Sequence, residues 1–158
     1  MHFPAIPTAN LQRQRLTAPT DLEGRFNLAL IAFRQWHQGL VDTWLDFARA
    51  LEAETAGGVK YYEFPTISAR NSLAQLFINE GMRAGIRNST ARERTMTLYV
   101  DMNAFLQALE IEDVETIYAL LIDRAGAVWW RARGPFQPEK GLDLRKRLAE
   151  IDATHGPL

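Results

Sequence analysis

The groups best placed for chemistry in this chain of 158 residues stand close together in FRQWHQGL, residues 33 to 40. The stretch follows an apolar run and opens an amphipathic helix, so Trp36, His37 and Gln38 fall just before or at a helix start. Unpaired main-chain N–H groups at such a start can hold a carboxylate or a phosphate. Arg34 would add a formal charge and a two-pronged grip. His37 would be the general acid or base of an enzyme in which Arg34 orients an anionic substrate. The same residues have a plainer use, with Trp36 packed on the body, His37 in solvent and Arg34 paired with a surface acid. If the helix start does hold an anion, His37→Ala should leave the fold intact, because a helix-start residue carries little of the core. No Ser-His-Asp or paired-carboxylate arrangement can be assigned from spacing. His2 and His155 fall in expected tails, so neither a three-histidine metal site nor any cofactor is expected.

The chain has no cysteine. Disulfides, thiolate nucleophiles and thiolate metal sites are thereby removed, and any mechanism must run on oxygen and nitrogen groups. Eighteen Lys+Arg against nineteen Asp+Glu leave a net charge of -1, which gives no global field to attract nucleic acid or an anionic membrane. No apolar run approaches the ~20 residues of a membrane helix, and the first twenty residues lack the apolar core of a secretory signal. The expectation is a cytoplasmic protein without nucleic-acid binding or membrane insertion. Arg13 and Arg15, with no acid before Asp21, make the mitochondrial matrix the alternative. This length suits one domain that buries roughly 70% of its unfolded surface.

Two charged constellations lie elsewhere. Arg83, Arg87, Arg92 and Arg94 gather around the end of one helix and the polar tract after it, with Arg70 at the helix start and Glu80 and Glu93 interrupting them. They read either as a solvated basic loop or as a docking surface for an acidic partner. In AVWWRAR, strict alternation puts Trp129, Arg131 and Arg133 on one strand face. Arg with Trp is a combination enriched at interface hot spots, though a helix covering Trp129 would serve equally.

These residues need elements to hold them. LALIAF, residues 28 to 33, is apolar on both faces, as a central strand covered by helices must be. Leu40, Val41, Trp44, Leu45, Ala48 and Leu51 then recur at helical spacing until Gly57 and Gly58 stop the helix. VKYYEF follows as a strand that ends at Pro65, and Ser68 is placed to cap a helix running to about Ile86. Leu73, Leu76 and Phe77 line one face of that helix and Ile78 and Met82 another, which suggests two neighbours, one of them a partner subunit. MTLYVD, MNAFLQALEI, TIYALLI and AVWWRAR read as strand, short helix and hairpin. Pro138 opens a last helix with Leu144, Leu148 and Ile151 as its stripe. Residues 1 to 20, with Pro4, Pro7 and Pro19, read as an irregular arm, residues 21 to 152 as the domain and 153 to 158 as a tail.

This order resembles the thioredoxin-like superfamily and, within it, the peroxiredoxin-type arrangement. The similarity covers residues 22 to 151 and rests on LALIAF followed by WHQGL, on LYVDMNAFLQAL and on TIYALLIDRAGAVWW. The long helix after the second strand and the cysteine-free first turn are similar to the mitochondrial ATP synthase assembly-factor family and its bacterial relatives. The resemblance implies an α/β three-layer domain, a central mixed sheet with helices on both faces and one inserted helix. LALIAF and TIYALLI would lie side by side and parallel, VKYYEF beyond the first and AVWWRAR antiparallel beyond the second.

By the same resemblance, the Cys-x-x-Cys of catalytic members falls on His37 and Leu40, and their cis-proline on Ile117 or Tyr118. A non-proline cis bond costs ~3 kcal/mol, so a trans bond is expected there. Peroxidatic relatives need a proline and a threonine ahead of a cysteine, and the stretch has none of the three. Disulfide exchange and peroxide reduction are excluded. What is expected is a non-catalytic module that binds a protein partner, in assembly of a larger complex or as a homodimer. A cysteine-independent enzyme or a small-anion sensor at Arg34 and His37 is the alternative. Arg34, Trp36, His37, Gln38 and Tyr118 are the candidate ligand residues, and Ile78, Met82, Arg83, Arg87, Trp129 and Arg131 the candidate partner surface.

Overall fold

A strand without a polar face has to lie inside a sheet, and Phe26–Ala32 does so with all seven residues buried. The computed structural model describes residues 1–69 and 93–158. In chain order these form β1 (Ile6–Ala9), β2 (Arg15–Ala18), β3 (Phe26–Ala32), a 3-10 turn (Gln35–His37), α1 (Gln38–Asp42), α2 (Leu45–Glu54) and β4 (Val59–Ser68). They continue with β5 (Leu98–Val100), α3 (Met102–Ala108), β6 (Tyr118–Asp123), β7 (Val128–Arg133) and α4 (Pro138–His155). One sheet has the order β5-β4-β3-β6-β7, and β1 and β2 form a separate hairpin.

Alternation along the strands divides the core in two. On one face Phe26, Leu28, Leu30, Val59, Tyr61, Ala119 and Leu121 meet Val41, Trp44, Phe47, Ala48 and Leu51 of the first helices and Leu144, Leu148 and Ile151 of α4. On the other, Ala29, Ile31, Phe64, Leu98, Leu120 and Ile122 meet Phe105 and Leu109. The helical stripes are those expected from spacing, with Pro138 at the start of α4 and Gly57, at φ +81°, ending the turn after α2.

Several expectations are corrected. β3 pairs with β4 in parallel but with β6 antiparallel, Ile31 opposite Tyr118 and Phe26 opposite Asp123. The connection explains the direction. Seven residues of α3 climb only about 10 Å, against about 23 Å for a strand the length of β3, so the chain re-enters the sheet at the end where it left. β4 does not stop at Pro65 but runs to Ser68, and the proline falls where the ladder passes from β3, paired through Pro65, to β5, paired from Thr66. A proline there interrupts neither partner. Ser68 is thus the end of a strand. The helix expected after it, with Leu73, Leu76, Phe77, Ile78 and Met82, and the basic residues Arg70, Arg83, Arg87 and Arg92, lie outside the described residues.

The face shared by Trp129, Arg131 and Arg133 is also corrected. Leu121 pairs with Trp130 but Ile122 with Val128, a shift that leaves Trp129 as an extra residue. Trp129 and Trp130 therefore both pack with the α2–α4 core. Trp129 is half-buried, edge-on to Phe26 and His155, beneath Arg147, with its indole N–H on Asp123. Arg131 turns to the opposite face and lies over Tyr118.

The first twenty residues are not irregular. Asn10 Oδ1 accepts the N–H groups of Gln12 and Gln14 and closes the β1–β2 turn, and Thr8 bonds the Thr97 carbonyl beside β5. Phe3 is fully buried between Phe64, at 5.6 Å between ring centres, and Phe105, at 5.9 Å. At the other terminus Arg25 donates to the carbonyls of His155, Gly156 and Pro157. Phe3→Ala should lower unfolding stability by about 3–5 kcal/mol, the cost of emptying an aromatic site in a core. Urea denaturation checks this, and a change within experimental error would mean that the hairpin is not part of the cooperative core.

Candidate functional site

Where β3 ends, the chain leaves the sheet through Phe33 and Arg34, whose main-chain N–H groups no strand takes up. His37 takes both. Its Nδ1 accepts from Phe33 N at 3.0 Å and from Arg34 N at 3.1 Å, while His37 N donates to Arg34 O at 3.0 Å and closes the 3-10 turn. A side chain at the third helical position reaching back to the N-cap N–H is half of a capping box, with an imidazole in the role usually filled by a carboxylate. A neutral imidazole has one acceptor nitrogen and one N–H, so the proton sits on Nε2.

His37 is 0% exposed. Nε2 is buried with no hydrogen-bond partner among the described residues. Burial pushes the His37 pKa below 6.5; the main chain and carboxylate of Glu115 and the carboxylate of Asp113 oppose this, and Arg34 adds to it. The solvated His37 of the sequence reading is thus replaced by an interior one. Neither ring nitrogen is open to a solute.

The other candidate residues have separate partners. Arg34 is exposed and bonds Glu115 at 3.1 Å. Gln38 donates to Asp42 at 2.9 Å and to Glu63 at 3.0 Å. Glu63 is buried on β4, and loss of solvent raises its carboxyl pKa. Arg34, His37 and Gln38 thus take separate partners among the described residues. Trp36 instead turns outward, 60% exposed, its ring 4.4 Å from the imidazole and edge-on to it.

Tyr118, at the head of β6, is buried with its hydroxyl on the Asp113 carbonyl at 2.9 Å and its ring edge-on to Phe33. The bond leading into it and that leading into Ile117 are trans; among the described residues the cis bond is Ala18–Pro19. Tyr118 and Arg131 meet at a cleft of about 380 Å³ that also includes Glu110, Asp113 and Arg133. Its cations are engaged there: Arg131 donates to the carbonyls of Leu109 and Glu110, and Arg133 pairs with Asp113, holding that carboxyl below its usual range. Arg94 is also engaged, bonded to Glu52 at 2.7 Å and lying over Tyr61. Sequence reasoning missed Glu63, Asp113 and Glu115. Only Glu115 had a signal, since it stands just ahead of TIYALLI.

Sheet order, strand directions and helices on both faces define a thioredoxin-like α/β fold. The exposed lipoprotein thioredoxin Etrx1 of Streptococcus pneumoniae superposes with a TM-score of 0.61 at 10% identity, over 92% of this chain and 100% of that one. Copper-bound ScoI of Arabidopsis thaliana gives 0.60 at 7% identity, over 95% and 99%. BsSco, a member of the Sco family of cytochrome c oxidase assembly proteins, gives 0.57 at 14% identity, over 92% of each chain. No family model and no curated protein matches the chain.

Two substitutions test the turn. His37→Ala frees two main-chain N–H groups and opens a cavity, and should cost about 2–4 kcal/mol. His37→Asn places an oxygen where Nδ1 stood and should cost less than half as much. The pH dependence has a definite sign. With the folded pKa below 6.5, the native state binds fewer protons than the unfolded chain, so the stability His37 contributes is present above 6.5 and lost as pH falls below it. In urea titrations the wild type should lose its advantage over His37→Asn in that window, and a constant difference across it would contradict the assignment.

Proposed function

We propose that the chain is a non-catalytic thioredoxin-like module that docks on a protein partner, as an assembly factor. One observation carries the reading. In the turn between β3 and α1 Arg34 bonds Glu115, Gln38 bonds Glu63 and His37 Nδ1 accepts two main-chain N–H groups, while the Trp36 ring stands 60% exposed. An aromatic ring on a fixed turn suits a protein surface, where Trp is a frequent anchor, better than it suits a small anion. The absence of cysteine supports the same reading. So does BsSco, a member of a family of cytochrome c oxidase assembly proteins that has a similar fold. The peroxiredoxin-type arrangement and the resemblance to the mitochondrial ATP synthase assembly-factor family are the finer form of this proposal, with the cytoplasm as its site of action. No described helix is long and apolar enough to cross a membrane.

The test is quantitative capture from the source cells with three baits: wild type, Trp36→Ala, and Leu142→Ala as a control at another exposed apolar side chain, 69% accessible. A specific protein, or a second copy of the chain, should be retained by the wild type and the control and reduced about tenfold or more by Trp36→Ala, since truncating an interface anchor costs at least ~1.4 kcal/mol. Equal retention by all three refutes docking through Trp36. In parallel, the purified protein should show neither disulfide reductase nor peroxidase turnover above a heat-inactivated control, because it has no thiolate. Turnover by metal-free protein would overturn the non-catalytic reading.

A further inference from the structure

The polar network at the end of β3 contains a group that can exist in two protonation states, only one of which fits. Nδ1 of His37 faces two main-chain donors, Phe33 N at 3.0 Å and Arg34 N at 3.1 Å. A proton arriving at Nδ1 would point at both N–H groups and abolish both bonds in a single event. It would also leave a cation inside the protein, fully out of contact with water. Both consequences favour opening of the turn over accommodation of the charge. The charged groups around the ring are Arg34 on its own turn and Glu115 and Asp113 on the segment entering β6. The main chain and carboxylate of Glu115 and the carboxylate of Asp113 favour the charged ring, but burial outweighs them, and the two carboxylates are shared with Arg34 and Arg133.

We propose that His37 is a proton-operated latch of the β3–α1 turn: neutral, it closes the turn by accepting from Phe33 and Arg34, and protonated it leaves the interior and releases the segment that displays Trp36. Burial, which holds the ring below its ordinary pKa, places the release on the acid side of neutrality. The sheet does not need to open with it. Phe33 and Arg34 lie beyond the last paired residue of β3, and the β3 ladder to β4 and β6 uses other donors. The latch is a property of the turn and holds whatever docks on Trp36.

Amide hydrogen exchange by NMR, with each rate divided by the intrinsic rate of the unfolded chain at the same pH, reads the latch directly. In the wild type the protection of the Phe33 and Arg34 amides should fall about tenfold or more between about pH 7.5 and about pH 5, one pKa unit of coupling being one factor of ten. Protection of Leu120, in the middle of β6, should stay constant. His37→Asn keeps an acceptor at the same place and does not titrate, so its profile at Phe33 and Arg34 should be flat. Parallel profiles in the two proteins, or loss of Leu120 protection together with the turn, overturn the proposal, the second because it is global acid unfolding. If His37→Asn does not fold, the imidazole nitrogen shifts of the wild type decide. Nδ1 must be the bare nitrogen at neutral pH, and its protonation must track the loss of amide protection. A proton on Nδ1 at neutral pH refutes the latch.

Discussion

β3 is the constraint from which the other features follow. It is bonded along one edge to β4 and along the other to β6, and both of its faces are buried. A strand enclosed on four sides has no surface of its own, so polar work is confined to its ends. At its C-terminal end, β6 begins and the ladder of β4 passes from β3 to β5. The chain must turn there, at the edge of the interior, with main-chain donors that water reaches poorly. An unpaired donor in such a place costs about 1–3 kcal/mol. Something has to accept, and in this chain it is His37.

The surrounding bonds extend that solution sideways. Arg34 ties the turn to Glu115 ahead of β6, and Gln38 ties it to Glu63 on β4. The first is an exposed ion pair and adds little to stability. The buried bonds of His37 and the carboxylate of Glu63 hold the geometry. Trp36 lies between these ties, and its outward direction follows from its neighbours' inward ones. A single residue step in a 3-10 turn rotates the side chain by about 120°, so burying His37 sends the preceding ring toward solvent. Display of Trp36 and burial of His37 are one structural fact.

What the sequence made legible depends on how far each signal extends. The two-sided apolar runs and the helical stripes are long, and they placed β3, β6, α2 and α4 on the correct faces. One-residue events left no such trace. Trp129 is added to β7 by a bulge, and alternation counted along VWWRAR assigns it to the wrong face from that residue on. The direction of β6 was misread because it depends on the length of α3 rather than on anything in β6 itself. The β1–β2 hairpin was read as an irregular arm because its strands have four residues each and prolines punctuate the segment, although Asn10 at the turn and the apolar Phe3 and Ile6 belong to a packed element. At the site, residue type alone does not separate a solvated histidine from a buried one. The available clue was position, since His37 stands three residues after Arg34, where a capping side chain reaches back to an N-cap N–H.

Two buried titratable groups, His37 in the turn and Glu63 on β4, are shifted in opposite directions. His37 is held below its ordinary pKa by burial, so acidification below 6.5 works against the native state. Glu63 is held above 4.5 by the same cause. The native protein therefore takes up that proton before the unfolded chain does, and the stability Glu63 withholds when charged is recovered as pH falls through its folded pKa. As pH falls the two effects have opposite signs in the total free energy of folding. Glu63 sits within the β4 ladder, opposite Leu30, where main-chain pairing does not depend on its carboxylate. His37 sits beyond the last ladder bond of β3, and protonating it removes the acceptor on which the turn closes. Opposite signs in the sum thus correspond to different places in the molecule, and of the two it is the His37 response that falls in the segment carrying Trp36.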